Sequence, residues 1–241
     1  MKEDKDNIKQ ISSSSEANML IALFFLVSLS EAIAEFFEYR SFIFIFKMLL
    51  MPILMLLYWT TSSVRNLYYL IALFFAFIAN MLFIYNEDFD FIIFGATTFL
   101  VYRIITIYLI MKFVKIKSYF PVIIGSLPFL FIYFYLTCLT IDELGDGLFV
   151  YIIQAMFMSF LGGLSVGVYM INDNRKNYWL LISTLLFTVN QILLVIKLFY
   201  LSVITFQPIS MALYCFAQYG FYKFIILSEQ KDLNKNSSSA S

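Results

Sequence analysis

The sequence predicts an all-α polytopic membrane bundle of about eight transmembrane helices, and three observations carry that prediction. The 241-residue chain is 62% hydrophobic and 13% charged, with a mean hydropathy of +0.85. A soluble core has no use for that much apolar surface. The apolar residues fall in continuous runs of about 20, the length that crosses a hydrocarbon core, and not in the alternation of barrel strands. The cations between the runs gather on one side.

The chain opens on a largely polar 17-residue stretch of mixed sign, with Lys2, Lys5 and Lys9 against Glu3, Asp4, Asp6 and Glu16. The apolar stretch behind them is full membrane length and lacks a small-x-small exit, so it predicts a retained first span and not a cleaved leader. Spans are expected at 18–38, 42–60, 67–85, 91–112, 119–139, 147–171, 178–200 and 206–228, forming one membrane domain over 18–228. Short connections make neighbours antiparallel. The polar ends, 1–17 and 229–241, are expected as tails, the second one disordered. Pro52 and Pro128 fall within spans and Pro121 near the start of one, where neighbouring helices can satisfy the freed carbonyls. Ser159, Gly163 and Gly167 repeat every four residues on one face of span 6, the pattern of a close helix–helix seam. The string LIALFF at 20–25 returns at 70–75. Chance explains that in so biased a composition, although a duplicated unit would also leave it.

Orientation follows from charge. One side carries the N-terminal lysines, Arg65, Lys112, Lys115, Lys117, Arg175, Lys176 and the C-terminal lysines. The other carries Arg40 and then acids: Glu87, Asp88, Asp90, Asp142, Glu143 and Asp146. Both termini are therefore expected in the cytoplasm, in a bacterial inner membrane, with Trp59 and Trp179 at the inner interface.

Composition excludes several chemistries. Formal net charge is zero, so no bulk attraction to nucleic acid is implied. The chain has no histidine, which removes Ser–His and Cys–His catalysis and histidine proton relays. No cofactor and no metal are expected. Cys138 and Cys215 are expected at different depths, too far apart for a disulfide.

Polar residues inside the spans mark the candidate site, because burying them in lipid is costly. Glu31, Glu35 and Glu38 share one face of span 1 at i, i+4 and i+7. Lys47 lies in span 2, Asn80 in span 3, Arg103 near the middle of span 4, and Asn190 and Gln191 in the outer half of span 7. By depth they gather in one leaflet, which suggests a polar cavity open to the outer face, with Arg103 meeting a span 1 carboxylate or lining the cavity with Lys47. Architectural ion pairing is the alternative for Arg103 and Lys47.

These positions carry a resemblance. FKMLLMP at 46–52 resembles the K-P-L-x-M-P motif of the YhhN family, with Lys47 and Pro52 matching and Met48 in place of a proline. Ala79 and Asn80 stand where that family has Gly-Asp. Gly95, Phe99 and Leu100 match its G-x-x-x-F-L-x-x-H, with Arg103 in place of histidine. Leu186 and Phe187 match its L-F-x-x-S-D, with Asn190 and Gln191 in place of Ser-Asp. The resemblance implies a lysoplasmalogenase-like protein, which would cleave the vinyl ether bond of a lysoplasmalogen to a fatty aldehyde and a glycerophospho-alcohol. Such a cleavage needs an acid to protonate carbon and a carboxylate to stabilise the oxocarbenium ion or activate water. Amides at Asn80 and Gln191 supply neither, so a degenerate member that binds a lysolipid without cleaving it is expected. Lys47, Arg103 and Asn190 are the expected ligand contacts, and the alternatives are an active hydrolase using Glu31 or Glu35 and a transporter or structural membrane partner.

Overall fold

The computed structural model describes residues 2–85, 89–116, 118–201 and 203–238. Within them lie eight α-helices and two 3-10 turns, and no strand. The helices are α1 (Lys2–Phe36), α2 (Arg40–Thr61), α3 (Leu67–Leu82), α4 (Phe89–Phe113), α5 (Phe120–Leu144), α6 (Leu148–Ile171), α7 (Arg175–Phe199) and α8 (Phe206–Ser238); Phe83–Tyr85 and Gly145–Gly147 are the 3-10 turns. The chain is therefore the expected all-α membrane bundle. Glu87, Asp88 and Lys117 of the charge pattern lie outside the described residues.

Six helices, α1 from Ser15 together with α2, α4, α5, α6 and α7, are long and apolar enough to cross a membrane. The other two differ from eight uniform spans for separate reasons. The α3 helix has only 16 residues, and the Phe83–Tyr85 turn lengthens it. The α8 helix has ample length, but buried Gln207, Ser210 and Gln218 dilute its apolar character.

Packing follows the chain as hairpins: α1 with α2, α3 with α4, α5 with α6, and α7 with α8. Contacts of α2 with α3, α4 with α6, α6 with α7, and α8 with α1 close these into a ring. The α5 helix stays outside it, against α6. The α5–α6 contact is the seam expected from Gly163 and Gly167: a Cβ on Gly167 would stand 2.8 Å from the Val122 backbone nitrogen.

Helix ends depart from the expected limits where side chains hold them. The α1 helix stops at Phe36, and Glu38 turns into the left-handed region at φ 55°. The bonds from Glu38 N–H to the Glu35 carbonyl and from Tyr39 N–H to the Ala34 carbonyl make a Schellman ending. Glu38 is thus an exposed turn residue and not part of the Glu31/Glu35 face. At the other end of the chain, α8 runs ten residues past the expected limit at 228, into the stretch expected to be disordered. The cause is Glu229, which is only 3% exposed and accepts hydrogen bonds from the Tyr58 and Ser62 hydroxyls at 2.5 and 2.6 Å. Tyr58 in turn accepts from the Asn66 N–H at 2.6 Å, so the carboxylate ties α8 to the α2–α3 turn. Residues 239–241 lie outside the described residues. Cys138 is exposed, Cys215 is buried, and both are free.

The basic and acidic turns lie at opposite ends of the bundle. At the basic end Arg65 covers the Trp59 ring at 4.4 Å, and Lys176 donates to the Phe113 carbonyl at the end of α4. Asp142 and Lys115 are both exposed, at opposite ends. With the basic end cytoplasmic, a membrane-impermeant thiol reagent added to intact cells should label Asp142→Cys and spare Lys115→Cys, in a Cys138→Ser/Cys215→Ala background. Labelling of Lys115→Cys alone would reverse the orientation.

Candidate functional site

At the acidic end of the bundle Phe83, Phe89, Leu144, Gly147 and Leu198 surround the mouth of a cavity of about 160 Å³, which runs inward from there. A single water needs roughly 10–15 Å³ on this scale, so the space would take several waters or a stretch of alkyl chain.

Helical periodicity explains which residues reach it. On α4, Phe89, Ile92, Ile93, Ala96, Phe99 and Arg103 all line the cavity. Their steps of three and four residues describe one helix face. From α7 come Phe187, Asn190, Gln191, Leu194, Val195 and Leu198, again one face; α6 adds Val150, Tyr151 and Gln154. Asn80 approaches from α3, Phe83 from the 3-10 turn that follows it, and Ser210, Met211 and Tyr214 from α8. Gly95 leaves room for this wall, since a Cβ there would stand 2.9 Å from the Phe83 ring.

Polarity is graded along the cavity. The residues near the acidic end, Phe83, Phe89, Ile92, Ile93, Leu144 and Leu198, are apolar, and the polar groups collect deeper. Phe89 and Arg103 are separated by about 21 Å of helix rise. Arg103 is 4% exposed and donates from Nη1 to Gln191 Oε1 at 2.8 Å. Its guanidinium also lies 5.2 Å from the Phe99 ring centre, within cation–π range. Among the described residues it has no carboxylate partner, and most of its five N–H donors remain for something else. The Asn190 side-chain carbonyl accepts from the Ser210 hydroxyl. Gln154 Nε2 donates to the Ala96 carbonyl at 2.6 Å, which pins α6 to α4. The Asn80 amide nitrogen is buried without a hydrogen bond among the described residues. Behind this floor, Tyr102 donates to Gln218 and Gln218 to Tyr214, each at 3.1 Å.

Asn80, Arg103, Asn190 and Gln191 are thus brought together from three helices. Glu31, Glu35 and Lys47 are not with them, and a single cavity collecting all seven is corrected here. Lys47 Nζ donates to Glu35 Oε1 at 2.6 Å, with the two side chains 4% and 9% exposed. Gln207 donates to the same Glu35 oxygen at 3.3 Å, and Lys197 donates to Gln207 at 2.7 Å. This second cluster joins α1, α2, α7 and α8. Glu31 is fully buried beside it, and neither of its oxygens has a hydrogen-bond partner among the described residues. None of the three lines the cavity. The partner of Arg103 is therefore the Gln191 amide, and the carboxylate of α1 goes to Lys47.

Four polar positions that line the cavity or tie its helices together were not singled out from the sequence. Gln154 carried the same signal as Asn80, a lone amide in an apolar span. Glu229 lay past the last apolar run. Ser210 and Tyr214 carry no signal in a chain with 17 tyrosines.

A family model, the YhhN family, matches residues 42–225, from the first turn of α2 to within α8. The match takes in every cavity residue named above and leaves out α1 and Glu229. No curated protein and no solved structure matches the chain.

Proposed function

The chain belongs to the YhhN family, and we propose from that membership a lysoplasmalogenase-like membrane protein that holds a lysolipid or similar amphiphile in this cavity without cleaving it. Its place would be a bacterial inner membrane, with both termini cytoplasmic.

The observation that carries the reading is the chemistry of the lining. Among the described lining residues there is no aspartate, glutamate, histidine, lysine or cysteine. The proton donors on offer are hydroxyls, amides and one guanidinium, all far weaker acids than a carboxyl group. Vinyl ether hydrolysis begins with proton transfer to carbon, and an efficient donor must have a pKa near the working pH. Asn80 and Gln191 keep the size and hydrogen bonding of acids while giving up that proton. Arg103 stays charged and cannot act as a shuttle.

The rival reading, a hydrolase using Glu31 or Glu35, needs those carboxyls at the substrate. Glu35 is engaged by Lys47 and Gln207, and both acids lie outside the cavity. Aldehyde release from lysoplasmalogen decides between them. The purified wild-type chain is expected to show none above background. Asn80→Asp/Gln191→Asp is expected to gain measurable turnover, since a positioned general acid contributes about 10²–10⁴-fold. Robust wild-type turnover that Glu35→Gln abolishes would overturn the reading.

A further inference from the structure

We propose that the cavity selects a single-chain amphiphile whose head is a terminal carboxylate, a long-chain fatty acid inserted head first onto Arg103. This rests on the reading of the cavity as an amphiphile site, narrows the occupant from a lysolipid to a similar single-chain amphiphile, and adds the identity of the head.

The first argument is unmet charge. Arg103 is buried, lines the cavity, and is met by a neutral amide and an aromatic ring but, among the described residues, by no anion. Removing a guanidinium from water without a counter-charge is costly. An anion in the cavity offsets that cost. The Asn80 amide nitrogen is a second buried donor without a partner in the same wall.

The second argument is direction. Along α4 the wall is apolar from Phe89 to Phe99 and ends on Arg103; the polar groups that come before it, such as Gln154 at the Ala96 carbonyl, are neutral, so the one charge lies deepest. A ligand with its charged end deepest matches that order.

The third argument concerns the size of the head. Beyond the floor, past Tyr102, Arg103 and Thr106, the remaining void is about 10 Å³, room for about one water. A phosphodiester places an alcohol on the far side of its phosphate, and that group has no space there. A terminal head fits.

The fourth argument concerns charge balance. Arg103 is the sole cation among the described lining residues. A carboxylate carries one negative charge, whereas a phosphate monoester carries about 1.5 to 2 near neutral pH. One guanidinium balances the carboxylate, and its planar fork suits two parallel N–H···O bonds.

The test is equilibrium binding to the full chain in nanodiscs, measured by native mass spectrometry and calorimetry. The probes are hexadecanoate, hexadecanol, hexadecyl phosphate, lysophosphatidylcholine and acetate. Hexadecanoate should bind about tenfold to hundredfold more tightly than hexadecanol, the range of a charge-assisted bidentate contact. Acetate should bind negligibly, because the apolar wall needs the chain. Arg103→Gln should bring the acid and the alcohol to equal affinity while both still bind, and Arg103→Lys should keep part of the preference. Equal wild-type affinity for acid and alcohol, or a preference for lysophosphatidylcholine or hexadecyl phosphate, overturns the carboxylate assignment and leaves the amphiphile site standing. Binding of none of the long-chain probes overturns both. The wild-type comparison needs no variant, so a misfolded Arg103→Gln cannot rescue the proposal.

Discussion

Lys47→Met is expected to lower stability by about 3–5 kcal/mol, the cost of breaking a buried ion pair from one side. The side chains of Lys47 and Glu35 are 4% and 9% exposed, and their bond is 2.6 Å long. Without the ammonium, Glu35 keeps only the 3.3 Å contact from Gln207. Glu31 is fully buried and has no hydrogen-bond partner among the described residues, so it offers Glu35 no substitute for the ammonium. Pairing two ions at this depth is not in itself a large source of stability, since desolvation offsets most of the attraction. The double variant Lys47→Met/Glu35→Leu should therefore recover most of the loss. Thermal unfolding in a mild detergent gives all four corners of that cycle. A single variant as stable as wild type would mean that Glu35 is content without its cation. A double variant worse than the single would mean that the loss is one of packing and not of charge.

The helices were legible because membrane thickness fixes their length: a run of about 20 apolar residues has few other uses. Their ends were less so. Glu38 continues the carboxylate periodicity of α1, and only the turn geometry takes it off that face. Glu229 looked like the first residue of a polar tail because hydroxyl partners 171 and 167 residues earlier, Tyr58 and Ser62, leave no local mark.

The cavity was half legible for a similar reason. Asn80, Arg103, Asn190 and Gln191 stand out as polar residues in apolar helices. Depth along each helix can be counted from sequence, but the direction a residue faces around the ring cannot. Lys47 and Arg103 were placed in one leaflet by depth, yet α2 turns Lys47 toward Glu35 while α4 turns Arg103 toward Gln191.

Gly163→Val should cost on the order of 3 kcal/mol or more, at the upper end of overpacking penalties. The seam between α5 and α6 brings the two backbones into close approach. A Cβ on Gly163 would stand 1.8 Å from Ser126 Oγ, 2.4 Å from the Val122 carbonyl oxygen and 2.7 Å from the Ser126 backbone nitrogen. The hydroxyl can rotate away, but the carbonyl and the nitrogen belong to α5 itself. The two helices must separate, and helix packing in lipid depends on close van der Waals contact of this kind, with no hydrophobic effect to hold them together. Gly162 meets only the Phe129 ring, at 2.6 Å, and Gly220 meets Ser183 Cβ at 3.2 Å. The expected order of damage is therefore Gly163→Ala, then Gly162→Ala, then Gly220→Ala, with Gly163→Val beyond all three. Adding Ser126→Ala to Gly163→Ala removes the nearest atom and leaves the carbonyl, so rescue should be partial. Because α5 sits outside the ring and gives the cavity only Leu144, any folded remnant should still bind amphiphiles. Melting temperature and the yield of monodisperse protein rank the series. Full rescue by Ser126→Ala, or a Gly163→Ala variant as stable as Gly220→Ala, would show that the seam tolerates separation.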